Sequence, residues 1–276
     1  MDRARNALSL KLCNEFQDAL AIAERDPELR VVVVKGAGGR AFSSGFDVDE
    51  DTTEFGPTDR AAWSFENLSR YFDHANKIMR SVFNCPKPVI AMIDGYCLAA
   101  ALDLAMWCDI RYCSDASRFG AIEARMGIGD TELPIMSHLI GQRCRELVYT
   151  GDMFDAQEAY RLGLVNRVFP KDRLVEEVTR IAKRTSRIAL PTLVWSKKAL
   201  NNTLLAAGLE SALRYSLIAD VLISSSDSEF QHFRELHRNE GIKAALEWRD
   251  SIFARFESET SSRPVYEQAK PDGGAD

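Results

Sequence analysis

The chain has 276 residues, 46% of them apolar, and a formal net charge of −6. That length and composition admit one large domain with its own core, or one domain with a helical annex, and the negative charge argues against nucleic acid as the main partner, because a phosphate backbone calls for a basic face. No apolar run approaches the ~20 residues of a membrane span, and the opening MDRARNALS lacks the apolar core of a signal peptide, so no membrane partner is expected.

The six cysteines form no CxxC pair and sit mostly among apolar neighbours, which predicts small buried hydrophobes in a reducing cytoplasm. His74, His138, His232 and His237 form no i, i+4 pair and no cluster with cysteine, so no metal site is expected.

In chain order, Leu8, Leu12, Phe16, Ala19 and Ala23 predict an amphipathic helix over 9–25, capped by Ser9 and ended by Asp26-Pro27. The apolar run 31–35 predicts a strand. A Gly-rich loop (Gly36, Gly38, Gly39) follows, then Ser43-Ser44-Gly45-Phe46-Asp47. The acidic, polar stretch 47–59 reads as a loop, either over a site or simply solvated. Residues 60–83, with Trp63, Leu68, Phe72, Ile78, Met79 and Phe83, predict a helix whose aromatic row fits plain core or the wall of a pocket.

The short run 89–93, bounded by Asp94-Gly95, predicts a buried strand. After it, Ala99, Ala100 and Ala101 are small enough to let a ligand approach the backbone and open a helix over about 102–107. The first N–H groups of that helix lack intrahelical partners, which makes an anion site of its start, with Asp103 at the mouth. Strands are predicted over 110–113 and 119–123, the second ending at Glu123. A helix follows over 134–149, where Arg143 and Arg145 can serve phosphates or solvent; then come a helix capped near Asp155 and closed by Gly163, and a strand over 165–169. The remainder predicts helices at 171–187, 191–207, about 210–224, 229–238 and 241–256, with Lys197 and Lys198 on a solvated face. From 257 onward there is no apolar pattern, and disorder is expected.

Read singly, Asp103 fits a first-turn helix acid and Glu123 a strand-end carboxylate, and a strand followed by small residues fits tight packing. Together, "GRAFSSGFDVDE" and "KPVIAMIDGYCLAAALDLAMWCDIRY", continued by "SRFGAIEARMGIG" and "GQRCRELVYTGDMFDAQEAYRLGLVNRVFP", resemble four ordered motifs of the crotonase family, the enoyl-CoA hydratase/isomerase superfamily. The resemblance covers about 6–170 and, more weakly, the helices to 256. It implies an α/β fold, a crotonase-like spiral of ββα units over 1–190 with a C-terminal helical annex over 191–256 used for oligomerisation, and a disordered tail over 257–276. It also implies an acyl-CoA substrate, coenzyme A being part of the substrate and no cofactor being required, and a homotrimer or homohexamer.

Carried onto this chain, the resemblance makes the backbone N–H groups of Phe46 and Ala100 an oxyanion hole and Glu123 and Asp103 the catalytic acids. Ser44, Gly45, Asp47, Val48 and Ala99 would contact substrate or coenzyme A, and Asp130 is a candidate third acid; the resemblance also makes Lys197 and Lys198 candidate coenzyme A contacts, against the solvated helix face that the residues themselves favour. The activity implied is hydration of a 2-enoyl-CoA. Isomerisation of enoyl or dienoyl esters without hydration, thioester hydrolysis, and non-catalytic acyl-CoA binding remain open. Several departures bear on that choice. Asp103 is about 1.5 Å shorter than the glutamate usual there, and Asp103, Glu123 and Asp130 together are similar to the dienoyl-CoA isomerase branch, with Asp130 one residue short of the third position. Ala99-Ala100-Ala101 replaces a glycine run, the Pro/Gly-rich segment after the second acid is shorter, and Asp49 stands where hydratases often place a lysine. Family members begin with a pair of strands upstream of "RNAL", so either the start is misplaced or truncated, the former being favoured, or the sheet lacks its first strands and exposes an edge that a partner must cover; a few extra residues around 224–238 are unexplained by the family pattern. A P-loop is a weaker reading, because GAGGRAF lacks the lysine and hydroxyl that must follow its glycines.

Overall fold

The computed structural model describes residues 5–48, 52–57, 63–226, 228–254 and 256. Asp49, parts of the 47–59 loop and the tail from 257 lie outside the described residues.

Helix α1 (Leu10–Arg25) begins as its sequence dictates, with Ser9 Oγ accepting from the Leu12 N–H at 3.2 Å. Eight strands then divide between two sheets: β1 (Val32–Lys35), β2 (Ala41–Ser43), β3 (Val89–Ile93), β4 (Tyr96–Leu98), β5 (Ile110–Ser114), β6 (Arg118–Gly120), β7 (Phe154–Asp155) and β8 (Arg167–Phe169). One sheet has the order β1-β3-β5-β8, the other β2-β4-β6-β7. Every pairing is parallel except β6 with β7, and the register runs Val33↔Ile90, Met92↔Tyr112 and Leu98↔Gly120. Successive strands from β1 to β6 therefore alternate between the sheets and advance with each helical return, which makes a spiral of ββα turns. β3 is buried at all five positions. A continuous apolar run, not an alternating one, is what a parallel strand covered on both faces requires.

The helices are α2 (Phe65–Ala75), α3 (Lys77–Asn84), α4 (Ala100–Trp107), α5 (Leu133–Ile140), α6 (Cys144–Thr150), α7 (Ala156–Leu162), α8 (Leu174–Thr185), α9 (Leu190–Ala206), α10 (Leu209–Ser226), α11 (Ser228–Glu240) and α12 (Ile242–Ala254). α4 is buried at every residue. It is apolar all round save for Asp103, the pattern of a helix driven through a core.

Three expectations are corrected. The helix expected over 60–83 is two, α2 and α3, broken at Asn76, whose buried side chain donates to Thr131 Oγ1 on the far side of the cleft described below. The strand expected to reach Glu123 stops at Gly120, and Glu123 stands on a 3₁₀ turn, Ile122–Met126. The helix expected over 134–149 is interrupted at Gly141, which has φ +64°, so the 3₁₀ turn Gly141–Arg143 separates α5 from α6.

The C-terminal helices are not detached from the spiral: α10 packs on α2 and α5. All six cysteines are buried and free, and burial pushes the Cys108 and Cys113 thiols up to about 12. Among the described residues no helix is long and apolar enough to cross a membrane.

Candidate active site

The segment after β2 is shaped by Gly45. Its φ is +98°, and a Cβ there would stand 2.9 Å from Ala99 Cβ and 3.5 Å from the Ala100 nitrogen, so a side chain would be both strained and obstructed. Leu8 flanks the same segment: its N–H donates to Gly45 O at 2.8 Å and its carbonyl accepts from the Asp47 N–H at 3.3 Å. Those two groups occupy one edge of the extended backbone, so the Phe46 N–H points to the opposite edge.

The facing segment is built by Ala99. This residue holds φ +54°, ψ −136°, a conformation rare outside glycine; its N–H donates to Gly120 O at 2.9 Å, and its carbonyl accepts from the Leu102 N–H at 2.7 Å to start α4. Ala100 is the first helical residue, so its N–H has no intrahelical acceptor.

Both segments border one cleft of about 1090 Å³. Ser44, Phe46, Asp47, Val48, Ala99, Ala100, Asp103, Glu123 and Asp130 all line it, so the structure brings the residues singled out in the sequence into one place, with Gly45 supporting them from beneath. A side chamber of about 530 Å³ adjoins the cleft and shares Phe46, Val48, Phe72, Met126 and Ile128 with it. Trp63, Leu68 and Phe72, from the aromatic row, wall this chamber, whereas Ile78 and Met79 are fully buried core and Phe83 stacks edge-on against Trp107.

Several buried acids meet in the cleft, whose lining also includes Arg5, Arg125 and Arg249. Asp103 is buried, and desolvation raises its pKa well above the ordinary carboxylate value, helped by repulsion from Asp130, Glu123, Glu132 and Asp220. Burial likewise raises Glu123 well above its usual value, with Asp130 and Asp220 adding to it, and Glu123 Oε2 is buried without a hydrogen-bond partner. Burial takes Asp130 to about 6, although the Glu132 N–H, donating to its Oδ1 at 2.7 Å, works the other way. Such a group of acids holds protons near neutrality and can give or take them.

Glu132 and Asp220 stand outside the motifs of the sequence. Burial and Asp130 raise Glu132 to about 7, while a bond from Trp107 Nε1 to its Oε2 at 2.6 Å opposes the rise. Burial and Asp130 raise Asp220 to about 7. The available signal for Asp220 was a single acid inside the apolar helical run Leu217 to Ile223. Lys197 is a correction: it is not solvated but buried, its Nζ donating to Val82 O at 3.0 Å, Lys87 O at 3.2 Å and Asp109 Oδ2 at 2.7 Å. Lys198 remains exposed, its Nζ 4.6 Å from the Trp195 ring centroid.

The family model described as enoyl-CoA hydratase/isomerase matches residues 1–255, and the chain belongs to that family. It is 31% identical over 253 residues to a putative enoyl-CoA hydratase of Thermus thermophilus, spanning 90% of this chain and 92% of that one. It is 29% identical over 262 residues to a crotonyl-CoA hydratase of Syntrophomonas wolfei, spanning 91% and 90%. Among solved structures, an enoyl-CoA hydratase/isomerase from Xanthobacter autotrophicus Py2 superposes with a TM-score of 0.85 at 31% identity, covering 94% of this chain and 93% of that chain.

Proposed function

We propose that this protein hydrates a 2-enoyl-CoA thioester. The observation that carries the reading is the common cleft, which Asp103 and Glu123 line together with Phe46 and Ala100. The thioester oxygen would accept from both N–H groups. As a water oxygen bonds to the β-carbon and its proton passes to a carboxylate, the electrons of the double bond move to that oxygen as an enolate. Two fixed donors are worth most at that moment, since losing one such donor costs ~10²–10³ in rate. The enolate collapses as the α-carbon takes a proton from a carboxylic acid, and one water has been added.

Glu123 is assigned as the main acid/base, because it lines the cleft, burial raises its pKa, and its Oε2 makes no hydrogen bond within the protein. Asp103 positions that water or relays the proton. Ser44, Gly45, Asp47, Val48 and Ala99 hold the acyl-CoA by shape and backbone, and coenzyme A enters as part of the substrate, with no further cofactor in the scheme. A reducing cytoplasm suits the six free thiols. A homotrimer or homohexamer is proposed for the assembly.

A second reading is favoured by Asp130. A third acid lining the cleft beside Glu123 and Asp103 suits movement of a double bond along a conjugated chain, with no water added. Incubation with 2-enoyl-, 3-enoyl- and dienoyl-CoA esters followed by mass analysis separates the two. A product heavier by one water supports hydration, and an isomer of unchanged mass supports the second reading. Release of free coenzyme A would instead indicate a thioester hydrolase, and tight binding without turnover would indicate a non-catalytic binder.

A further inference from the structure

Helix α10 belongs to the C-terminal region, yet it touches the acid-bearing segment after Glu123 at two points one turn apart. Ser216 Oγ donates to Asp130 O at 3.0 Å, and Asp220 accepts from the Gly129 N–H and from Ser224 Oγ, the latter at 3.4 Å. The second contact is close: a Cβ on Gly129 would stand 2.5 Å from Asp220 Oδ1 and 2.9 Å from Asp220 Cα, so only glycine lets the segment lie on the helix. Asp220 is 3% exposed, lines the same cleft as Asp103, Glu123 and Asp130, and no cation pairs with it among the described residues. Glu123, on the 3₁₀ turn that leads into the segment that α10 holds, carries the buried Oε2 without a hydrogen-bond partner.

The charged groups around α10 leave Asp220 in acidic company. Asp130 acts on it from the segment, Glu123 from the 3₁₀ turn and Asp103 from α4. α5 offers only the exposed His138; α2 offers the exposed Glu66, Arg70 and Asp73, with His74 against the Phe55 ring. α9 offers Lys197, committed to Asp109, and the exposed Lys198. Glu210 and Arg214 on α10 itself are exposed.

We propose that Asp220 is a positioning residue for Glu123 and Asp130: from α10 it fixes the segment 127–130 and adds a negative charge to the pocket in which those acids exchange protons. The inference rests on the acid/base role assigned to Glu123 above, but its test does not depend on turnover. A negative neighbour raises the pKa of a carboxylic acid, so removing it lowers that pKa. Asp220→Asn keeps an oxygen to accept from the Gly129 N–H and removes the charge.

The experiment is a carboxyl ¹³C NMR titration of Glu-labelled protein, with Glu123→Gln identifying the Glu123 resonance, in the wild type and in Asp220→Asn. The Glu123 titration is expected to move down by roughly one pH unit, and the acid limb of the kcat/KM profile to follow it with KM unchanged. Asp220→Ala, which also loses the acceptor, is expected to lower kcat by roughly 10²-fold. Should Asp220→Asn not fold, Asp220→Ser, whose hydroxyl can accept from the Gly129 N–H, carries the same expectation. An unmoved Glu123 titration would overturn the inference, even if activity fell, because a purely structural role predicts that result. A shifted titration in a protein that turns over no enoyl ester would leave the inference standing and remove the reaction assigned to the site.

Discussion

Ala99 holds a backbone conformation that glycine adopts freely and alanine does not, at the junction between β4 and α4. Such a residue costs about 1–3 kcal/mol, of which glycine recovers a part after its own entropic loss. Ala99→Gly is therefore expected to raise stability by about 1 kcal/mol in urea unfolding, with the Phe46 and Ala100 donors left in place. Destabilisation would show that the Ala99 methyl contributes more through packing than the backbone loses through strain.

The buried acids give the fold a pH dependence of defined sign. Glu132 has a folded pKa of about 7 against a reference of 4.5, so the folded state binds the proton more tightly than the unfolded state. Its contribution is fully present below pH 4.5 and is lost as pH rises through about 7. Glu132→Gln has no proton to lose, so its stability relative to the wild type should improve between pH 4.5 and 7. A difference that stays flat over that window, measured by thermal unfolding, would contradict this.

At this scale the sequence was informative where chemistry depends on a local string. Ser44 to Val48 and Ala99 to Asp103 were legible because small residues beside acids mark a backbone-lined site, whereas Asp220, a lone acid in an apolar helix, and Glu132, in the turn before α5, each resemble a surface residue until tertiary packing buries them.

At the scale of elements, α9 is anchored by one charge. Lys197 reaches between α3 and the turn before β3, satisfying two backbone carbonyls and Asp109, while Asp109 Oδ2 also accepts from the Val89 N–H at 2.7 Å. Removing one member of a buried ion pair leaves the other uncompensated and costs about 3–5 kcal/mol, less where the partner keeps some solvent as Asp109 does. Lys197→Met should thus destabilise the protein by about 2–3 kcal/mol in urea unfolding while leaving affinity for a CoA ester unchanged. Lost affinity without lost stability would restore Lys197 as a coenzyme contact.

Element limits follow the same logic. The Ser9 and Asp155 caps were readable because capping is local, and β3 because its apolar run is short and bounded. The break at Asn76 was not, since its cause is a side-chain bond to Thr131, 55 residues away. Nor was the early end of β6, because the pairing of Leu98 with Gly120 decides where the strand stops.

The whole molecule joins a spiral core to helices that do more than decorate it. α10 supplies Asp220 to the cleft, and α11 supplies Phe233 to both the cleft and the side chamber. The order of ββα turns was legible from the motif series, but the return of the C-terminal helices onto the site was not, because helical periodicity gives a buried face without naming what buries it. The same helices leave Trp195, Tyr215 and Leu222 exposed at 66%, 76% and 58%. Large exposed apolar side chains on neighbouring helices fit an interface between copies. Leu222→Lys is expected to lower the mass measured by light scattering, and a wild-type monomer would remove the oligomer from the account.

The most direct test of the central claim is the initial rate of water addition to a 2-enoyl-CoA, for wild type and Glu123→Gln, with CoA-ester affinity measured on both. Hydration by the wild type, falling about 10²–10⁴-fold in the variant while affinity is kept, is the predicted result. A Glu123→Gln protein that hydrates at the wild-type rate, or a wild type that binds the ester and adds no water, would contradict it.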